Sequence, residues 1–349
     1  MTRPAILSLL LCAATLPIRV SAQSKPAQPP PATTPSHPPL AFTPLYRPGD
    51  VLRYQLSFRS QSRSMVGGAI ENPQGASQIG MNVGITLRLE VLTPVPVAPG
   101  AAPNSPASTT SAPASGSAAL PERPPLRLRA TYESVSAKLS GDAYDPASAK
   151  LLAQYQGLQG HAIEFQLGPH AELEYIQGLN EALQDPRALE TARIWLEGVA
   201  AGPGAPAGGV SAGQSWQRTQ AVPDSPLKDT ALESVSTYLR DEPCDANDPA
   251  GEQCAVVLMR FTLGQKSAEK NPTPDAFRRN HLRTSGQWTS QGESLIHVSL
   301  TTGRTISVSQ SSDELMDLNI RHEDGIGLPF HYAGRTKTET HLLLLDATK

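Results

Sequence analysis

Apolar and polar residues alternate one by one along most of the chain. Leu52, Tyr54, Leu56 and Phe58 alternate with Arg53, Gln55, Ser57 and Arg59. Met81, Val83, Ile85, Leu87, Leu89 and Val91 alternate with Asn82, Gly84, Thr86, Arg88 and Glu90. A period of two sustained this long describes strands with one buried and one wet face, which pair antiparallel. Leu126, Leu128, Ala130 and Tyr132 continue the pattern, and the phase then slips to Val135, Ala137 and Leu139, predicting a bulge near Ser134. Ile163, Phe165 and Leu167, a Gly168-Pro169-His170 turn, and Leu173 and Tyr175 predict a hairpin. Later strands are predicted around Val257 to Leu263, Ile296 to Leu300, Ile306 and Val308, Met316 to Ile320 and His341 to Leu345, with a turn at Thr301-Thr302-Gly303-Arg304.

One segment departs from this period. Asp185 as N-cap, Pro186 at the first helical position, and Leu189, Ala192, Leu196 and Val199 on one face predict a short amphipathic helix with Trp195 packed beneath it. The fold class is therefore all-β: long antiparallel strands in one or two curved sheets, a sandwich or half-barrel, with one short helix. Gly49-Asp50 before the first strand and Gly213-Gln214-Ser215-Trp216 later in the chain suggest two copies of one antiparallel unit.

Composition changes the picture at the margins. The chain has 349 residues, 33 of them Pro. The excess lies in three low-complexity runs, at 23–41, 93–125 and 201–212, which are too poor in apolar side chains to offset the entropy of ordering. The organisation expected is a signal peptide at 1–22, a Pro-rich disordered spacer at 23–41, an N-terminal β half at 42–200 with a disordered insert at 93–125, a Gly/Pro-rich joint at 201–212, and a C-terminal β half at 213–349.

Arg3, the apolar run Ile6 to Leu16 and the small-residue site Val20-Ser21-Ala22 form the secretory signal, with cleavage leaving Gln23. A span needs about 20 apolar residues, and Pro17 and Arg19 interrupt this stretch, so no membrane-spanning segment is expected after cleavage. Cys12 follows Leu10-Leu11, which does not suit lipid attachment. Of three cysteines, Cys244 and Cys254 then remain, and an even pair in an exported chain reads as a disulfide. The expected location is periplasmic or secreted. With 29 Lys and Arg against 32 Asp and Glu, the balanced charge gives no basic footprint for nucleic acid.

Candidate chemistry is sparse. Gly209-Val210-Ser211-Ala212-Gly213 fits G-x-S-x-G, but a nucleophile elbow needs a strand before Ser211 and a helix after it, and the flanks predict neither. His37, His161, His170, His281, His297, His322, His331 and His341 are scattered without zinc spacing. His322-Glu323-Asp324-Gly325 reads as a polar loop. Asp245-x-Asn247-Asp248 offers oxygen ligands but lacks the Gly and Glu of a calcium loop. Lys266, Lys270, Arg278, Arg279 and Arg283 read as a solvated basic loop. No catalytic residue, cofactor or metal is expected, and the chain is read as non-enzymatic. A hydrolase would need His or acidic residues converging in a cleft.

The run from Leu158-Gln159-Gly160 through Gly168-Pro169-His170 to Leu173 resembles a hallmark of a family of exported bacterial β-rich proteins of unknown function, in which an L-x-G step precedes a hairpin. His170 stands where that family more often has Gly. The resemblance extends in outline over 45–320 and implies no activity and no site residues. More distantly, the alternating strands and single helix are similar to periplasmic lipoprotein carriers, which implies a half-barrel holding acyl chains under a helical lid. The expected role is binding a hydrophobic or lipid-like ligand within the curved sheet, with Pro186 to Val199 as lid. The alternative is an envelope structural or interaction module displayed on the Pro-rich spacer, with an envelope protein as partner.

Overall fold

A computed structural model of the chain describes residues 38–67, 76–93, 126–142, 146–168, 173–184, 186–206, 208–222, 225–266, 272–327 and 329–348. The expected signal peptide, nearly all of the spacer and of the 93–125 insert, the helix cap Asp185 and the Pro169-His170 turn lie outside these residues.

The fold is all-β, as the alternation predicts. Among the described residues eleven antiparallel strands form one open curved sheet: β1 (Val51–Gly67), β2 (Ser77–Val91), β3 (Leu126–Gly141), β4 (Ala162–Leu167), β5 (Leu173–Gln177), β6 (Ser215–Ala221), β7 (Thr230–Pro243), β8 (Gln253–Gln265), β9 (Leu282–Ser299), β10 (Thr305–His322) and β11 (Phe330–Thr348). Their spatial order is β5-β4-β3-β2-β1-β11-β10-β9-β8-β7-β6. The chain thus begins at the centre, meanders out to one edge, and meanders back from the opposite edge. The two halves meet where β1 pairs with β11, from Val51 opposite Thr348 to Gly67 opposite His331. The predicted phase slip is present: the β2–β3 register shifts between Thr86 and Leu87, leaving Glu133 as the extra residue.

The expectation of a single helix is corrected. Among the described residues four short helices are present: α1 (Pro146–Gly157), α2 (Leu179–Ala182), α3 (Pro186–Ala201) and α4 (Asp275–Arg279). The predicted one is α3, which leads from edge strand β5 towards edge strand β6. Its Leu196, Val199 and Ala200 join the apolar cluster of β1 to β5, where Leu52, Tyr54, Leu89 and Leu128 are buried. Trp195 packs against that cluster as expected, and α1 adds Leu151, Leu152 and Tyr155.

The C-terminal half has two smaller apolar clusters. One gathers Trp216, Tyr238, Val257, Ile296 and Val298 under Phe42, whose ring lies 5.3 Å from that of Tyr238 in an edge-on contact. The other contains Leu263, Trp288, Met316, Leu318 and Tyr332. Between them the inward positions are hydroxyl-bearing: Ser60, Ser294, Ser312, Thr336, Thr338 and Thr340 are all buried.

The entry to β1 is clasped to the β9–β10 turn. Arg304 pairs with Asp50, donates from Nε and Nη2 to the Leu45 carbonyl at 3.1 and 2.8 Å, and lies 5.3 Å from the centre of the Tyr46 ring. Tyr46 in turn donates its hydroxyl proton to the Ala200 carbonyl at the end of α3, 3.0 Å away. Gly303 makes this approach possible: a Cβ there would sit 2.4 Å from the Thr43 carbonyl oxygen. Cys244 and Cys254 stand at disulfide distance across the β7–β8 hairpin, with Cα atoms 5.0 Å apart.

Two stability predictions follow from these ties. The Arg304 and Asp50 side chains are only 12% and 6% exposed, so Asp50→Ala leaves a buried cation unpaired and should cost about 3–5 kcal/mol in urea unfolding. Double replacement Cys244→Ser, Cys254→Ser removes a short loop closure and should cost about 2–3 kcal/mol by the same measurement.

Candidate functional site

Strand alternation assigns every side chain to one of two faces, and the two faces differ in chemistry. On the inner face of β1, β2 and β3, apolar residues form a continuous sheet surface. At one end it is roofed by α2, α3 and the Leu183 that follows α2. Further along, Leu56, Phe58, Val135 and Leu139 are only partly buried, and so are Tyr155 on α1 and Trp195 on α3. Sheet and helices therefore both contribute apolar side chains that their own packing does not fully cover.

The inner face turns polar towards the sheet centre. Ser60 follows Phe58 on β1, and Ser294 lies in the Phe58 row across β11 and β10, where Phe58 pairs with Thr340, Thr340 with Gln310, and Gln310 with Ser294. Neither the Ser60 nor the Ser294 hydroxyl has a hydrogen-bond partner, although both are buried. Buried polar groups are ordinarily satisfied, so Ser60 on β1 and Ser294 on β9 each keep unmet hydrogen-bonding capacity, with two strands between them. Nearby, the Trp288 indole N–H donates to Glu314 Oε1 at 2.9 Å, and Glu314 is only 2% exposed.

The outer face is solvated and carries cross-strand polar pairs. Arg127 and Arg129 of β3 bond Glu164 of β4. The Arg129 hydrogen bond, opposed by partial burial and aided by both guanidinium charges, holds the Glu164 carboxyl below its ordinary range. His331 pairs with Asp317 at 2.8 Å. A shallow groove of about 420 Å³ runs where small residues line up across strands, Ser57 beside Gly84 and Gly84 beside Ser136, with His341, Arg59, Lys138 and Glu339 around it.

Three outer-face residues form a connected chain. Ser307 on β10 lies opposite His297 on β9, and its Oγ is 3.0 Å from His297 Nδ1. His297 Nε2 reaches over β8 to Glu242 Oε1 on β7, 2.8 Å away. Arg240 bonds the other Glu242 oxygen from Nε at 2.9 Å. The His297 hydrogen bond above all, opposed by burial and aided by Arg240, holds the Glu242 carboxyl below its ordinary range. An ionised carboxylate only accepts, so in neutral His297 the proton sits on Nε2 and Nδ1 faces the Ser307 hydroxyl as acceptor. Two bulges bracket the group: the register shifts between Tyr238 and Arg240 on β7, and between Thr305 and Ser307 on β10. Bulges re-aim side chains.

The motifs singled out in the sequence lie elsewhere and stay apart. Ser211 follows an isolated bridge between Leu40 and Val210 and precedes β6, so the strand–turn–helix setting of an elbow is absent. Its backbone N–H donates to Gln214 Oε1. In the 245–248 loop, the Asn247 backbone N–H donates to Asp245 Oδ1 at 2.8 Å, forming a turn. Glu323 bonds Arg283 across β9 and β10, while Asp324 Oδ1 accepts from the Ile326 N–H in the turn before β11. In the basic segment Arg278 pairs with Asp275. Among the described residues no three or more His, Cys, Asp or Glu side chains gather as metal ligands would. His297 was visible in the sequence as one scattered histidine; its hairpin register with Ser307 was the one signal that could have marked it.

No family model matches the chain, and no curated protein matches it in sequence. Among solved structures the chain is similar to lipovitellin, from a structure titled "Lipid-protein interactions in lipovitellin", at 9% identity and a TM-score of 0.42. The match covers 87% of this chain and 26% of the lipovitellin chain, so the chain spans about a quarter of that protein's length.

Proposed function

We propose that the protein binds a hydrophobic, lipid-like molecule against the inner face of β1 to β3, under α1 and α3, and performs no reaction on it there. The observation that supports this reading is the partial exposure of apolar side chains on both walls, Leu56, Phe58, Val135 and Leu139 from the sheet and Tyr155 and Trp195 from the helices. Burying a side chain of this size contributes about 1.5–3 kcal/mol, so an acyl chain laid over four of them gains substantially. The unmet Ser60 hydroxyl, next after Phe58 on the inner face of β1, favours an amphiphile over a plain hydrocarbon, with its polar end towards the sheet centre. Export belongs to the same proposal. The cysteine pair at disulfide distance suits an oxidising compartment.

A second reading, an interaction module for another envelope protein, draws on the outer face, where Leu315 is 42% exposed and Leu343 is 47% exposed.

Gently purified protein, extracted with organic solvent and examined by native mass spectrometry, should carry a co-purifying lipid and should take up a fluorescent fatty acid. Phe58→Glu should weaken that uptake at least about tenfold, with circular dichroism checking that the variant keeps the fold. Protein that holds no lipid and takes up no fatty acid overturns the binding role. A protein partner recovered from envelope extract by such ligand-free protein would favour the second reading.

A further inference from the structure

The geometry points to Ser307 as an acyl-accepting nucleophile, with His297 as its general base and Glu242 as the group that orients that base, acting on small carboxylic esters presented at the outer face of the sheet. This goes beyond the binding role, from which it is separated by the thickness of the sheet.

Three observations carry it. The hydrogen bonds are continuous, 3.0 Å from Ser307 Oγ to His297 Nδ1 and 2.8 Å from His297 Nε2 to Glu242, which is the spacing that proton transfer from a nucleophile to a base requires. The partners come from β7, β9 and β10, so the ladder fixes them instead of leaving them on mobile side chains of one loop. Partial burial adds to this: the His297 side chain is 19% exposed and that of Glu242 29%, accessible to a small substrate yet held in place.

Leu343 supplies the fourth part. It pairs with Ser307 across the β10–β11 ladder, shares the outer face with it, and is half exposed. A short acyl group would lie on Leu343 with its carbonyl carbon over Ser307 Oγ.

In the reaction Ser307 Oγ attacks the ester carbonyl carbon, forming the Oγ–C bond as its proton passes to His297 Nδ1. The resulting imidazolium lies against the Glu242 carboxylate, an opposite charge at hydrogen-bond distance. The C–O bond to the alcohol then breaks, and the departing oxygen takes the proton from His297 and leaves as the alcohol. Water repeats the route, giving its proton to His297 and its oxygen to the acyl carbon. The carboxylic acid leaves and Ser307 regains its proton. Nothing is oxidised or reduced, and water is the only co-reactant.

The sheet contains its own control. Ser309, two residues along the same strand and face, has its Oγ 3.2 Å from Nδ1 of His341 on β11. Among the described residues no carboxylate is bonded to the other nitrogen of that histidine. Ser307 and Ser309 thus share strand, face and imidazole contact, and differ in the Glu242 contribution.

The test uses the full chain with a serine-reactive fluorophosphonate, locating adducts by peptide mass spectrometry, and p-nitrophenyl butyrate, following nitrophenolate release. Ser307 should be modified about 100-fold faster than Ser309, the low end of what general-base assistance supplies. Glu242→Gln and His297→Gln should each bring Ser307 down to the Ser309 rate, and Ser307→Ala should abolish the protein-dependent nitrophenolate release. Circular dichroism and unfolding midpoints of the variants show whether the fold is kept, and the Ser309 rate serves as an internal reference in each. Equal modification of Ser307 and Ser309 in the unaltered protein overturns the proposal. So does release by the unaltered protein no faster than by Ser307→Ala.

Discussion

The pairing of β1 with β11 joins the two ends of the described body in one ladder, running from Val51 opposite Thr348 to Gly67 opposite His331. Every other strand is ordered outward from that seam, so its register decides which residues face inward across all eleven strands. A slip of one residue would turn Tyr54, Leu56 and Phe58 to solvent and bring Arg53 and Arg59 inside. The seam is also the most non-local pairing in the molecule, and closing so long a loop carries an entropic cost that local hairpins do not. The clasp of Arg304 on Asp50 and Leu45, with Tyr46 tied to Ala200, holds the start of β1 against both the β9–β10 turn and the end of α3. It sets the register at the point where the chain enters the ladder.

From that seam the inner face divides by composition. Towards β5 it is aliphatic and takes the helices as a roof; towards the middle of β9, β10 and β11 it is lined by Ser and Thr. Dense aliphatic packing can be supplied by the chain's own helices, because dispersion and hydrophobic contacts need no fixed direction. Hydroxyls are directional, and where a partner is missing, as at Ser60 and Ser294, the deficit remains at a definite place. The boundary between the two regions, around Phe58 and Ser60, is where an amphiphile would match the protein.

How much of this the sequence discloses depends on contrast between neighbouring positions. β1, β2 and β3 were legible because Leu, Val and Ile alternate with charged and amide residues, and even the slip at Glu133 left a trace in the phase. β11 was legible only at its end. Its inward Thr336, Thr338 and Thr340 alternate with Arg335, Lys337 and Glu339, so polar residues sit on both faces and period-two hydrophobicity vanishes. α1 leaves little trace in the sequence for a related reason: Leu151, Leu152 and Tyr155 give it a narrow apolar stripe, and its place is set by packing on β3. The Ile306 and Val308 alternation looked regular, whereas the register shift between Thr305 and Ser307 breaks it. Shifts of this kind depend on the partner strand, which a linear reading does not contain.

The same limit explains why the Ser307, His297 and Glu242 group was invisible while the G-x-S-x-G around Ser211 stood out. A motif advertises spacing along the chain; a sheet creates proximity across it. Glu242 and His297 are separated by 55 positions and meet only because β7, β8 and β9 lie side by side in the sheet. Antiparallel sheets produce many such outer-face pairs, and most only solvate the surface, as Arg129 with Glu164 does. What sets this one apart is order: hydroxyl, imidazole and carboxylate follow one another with donors and acceptors alternating, and the ionised Glu242 fixes the tautomer that leaves Nδ1 free to accept. One side chain of a strand cannot serve both faces at once. The apolar surface that would hold a lipid and the polar chain that would handle an ester are therefore independent features of one scaffold, and neither role constrains the residues of the other.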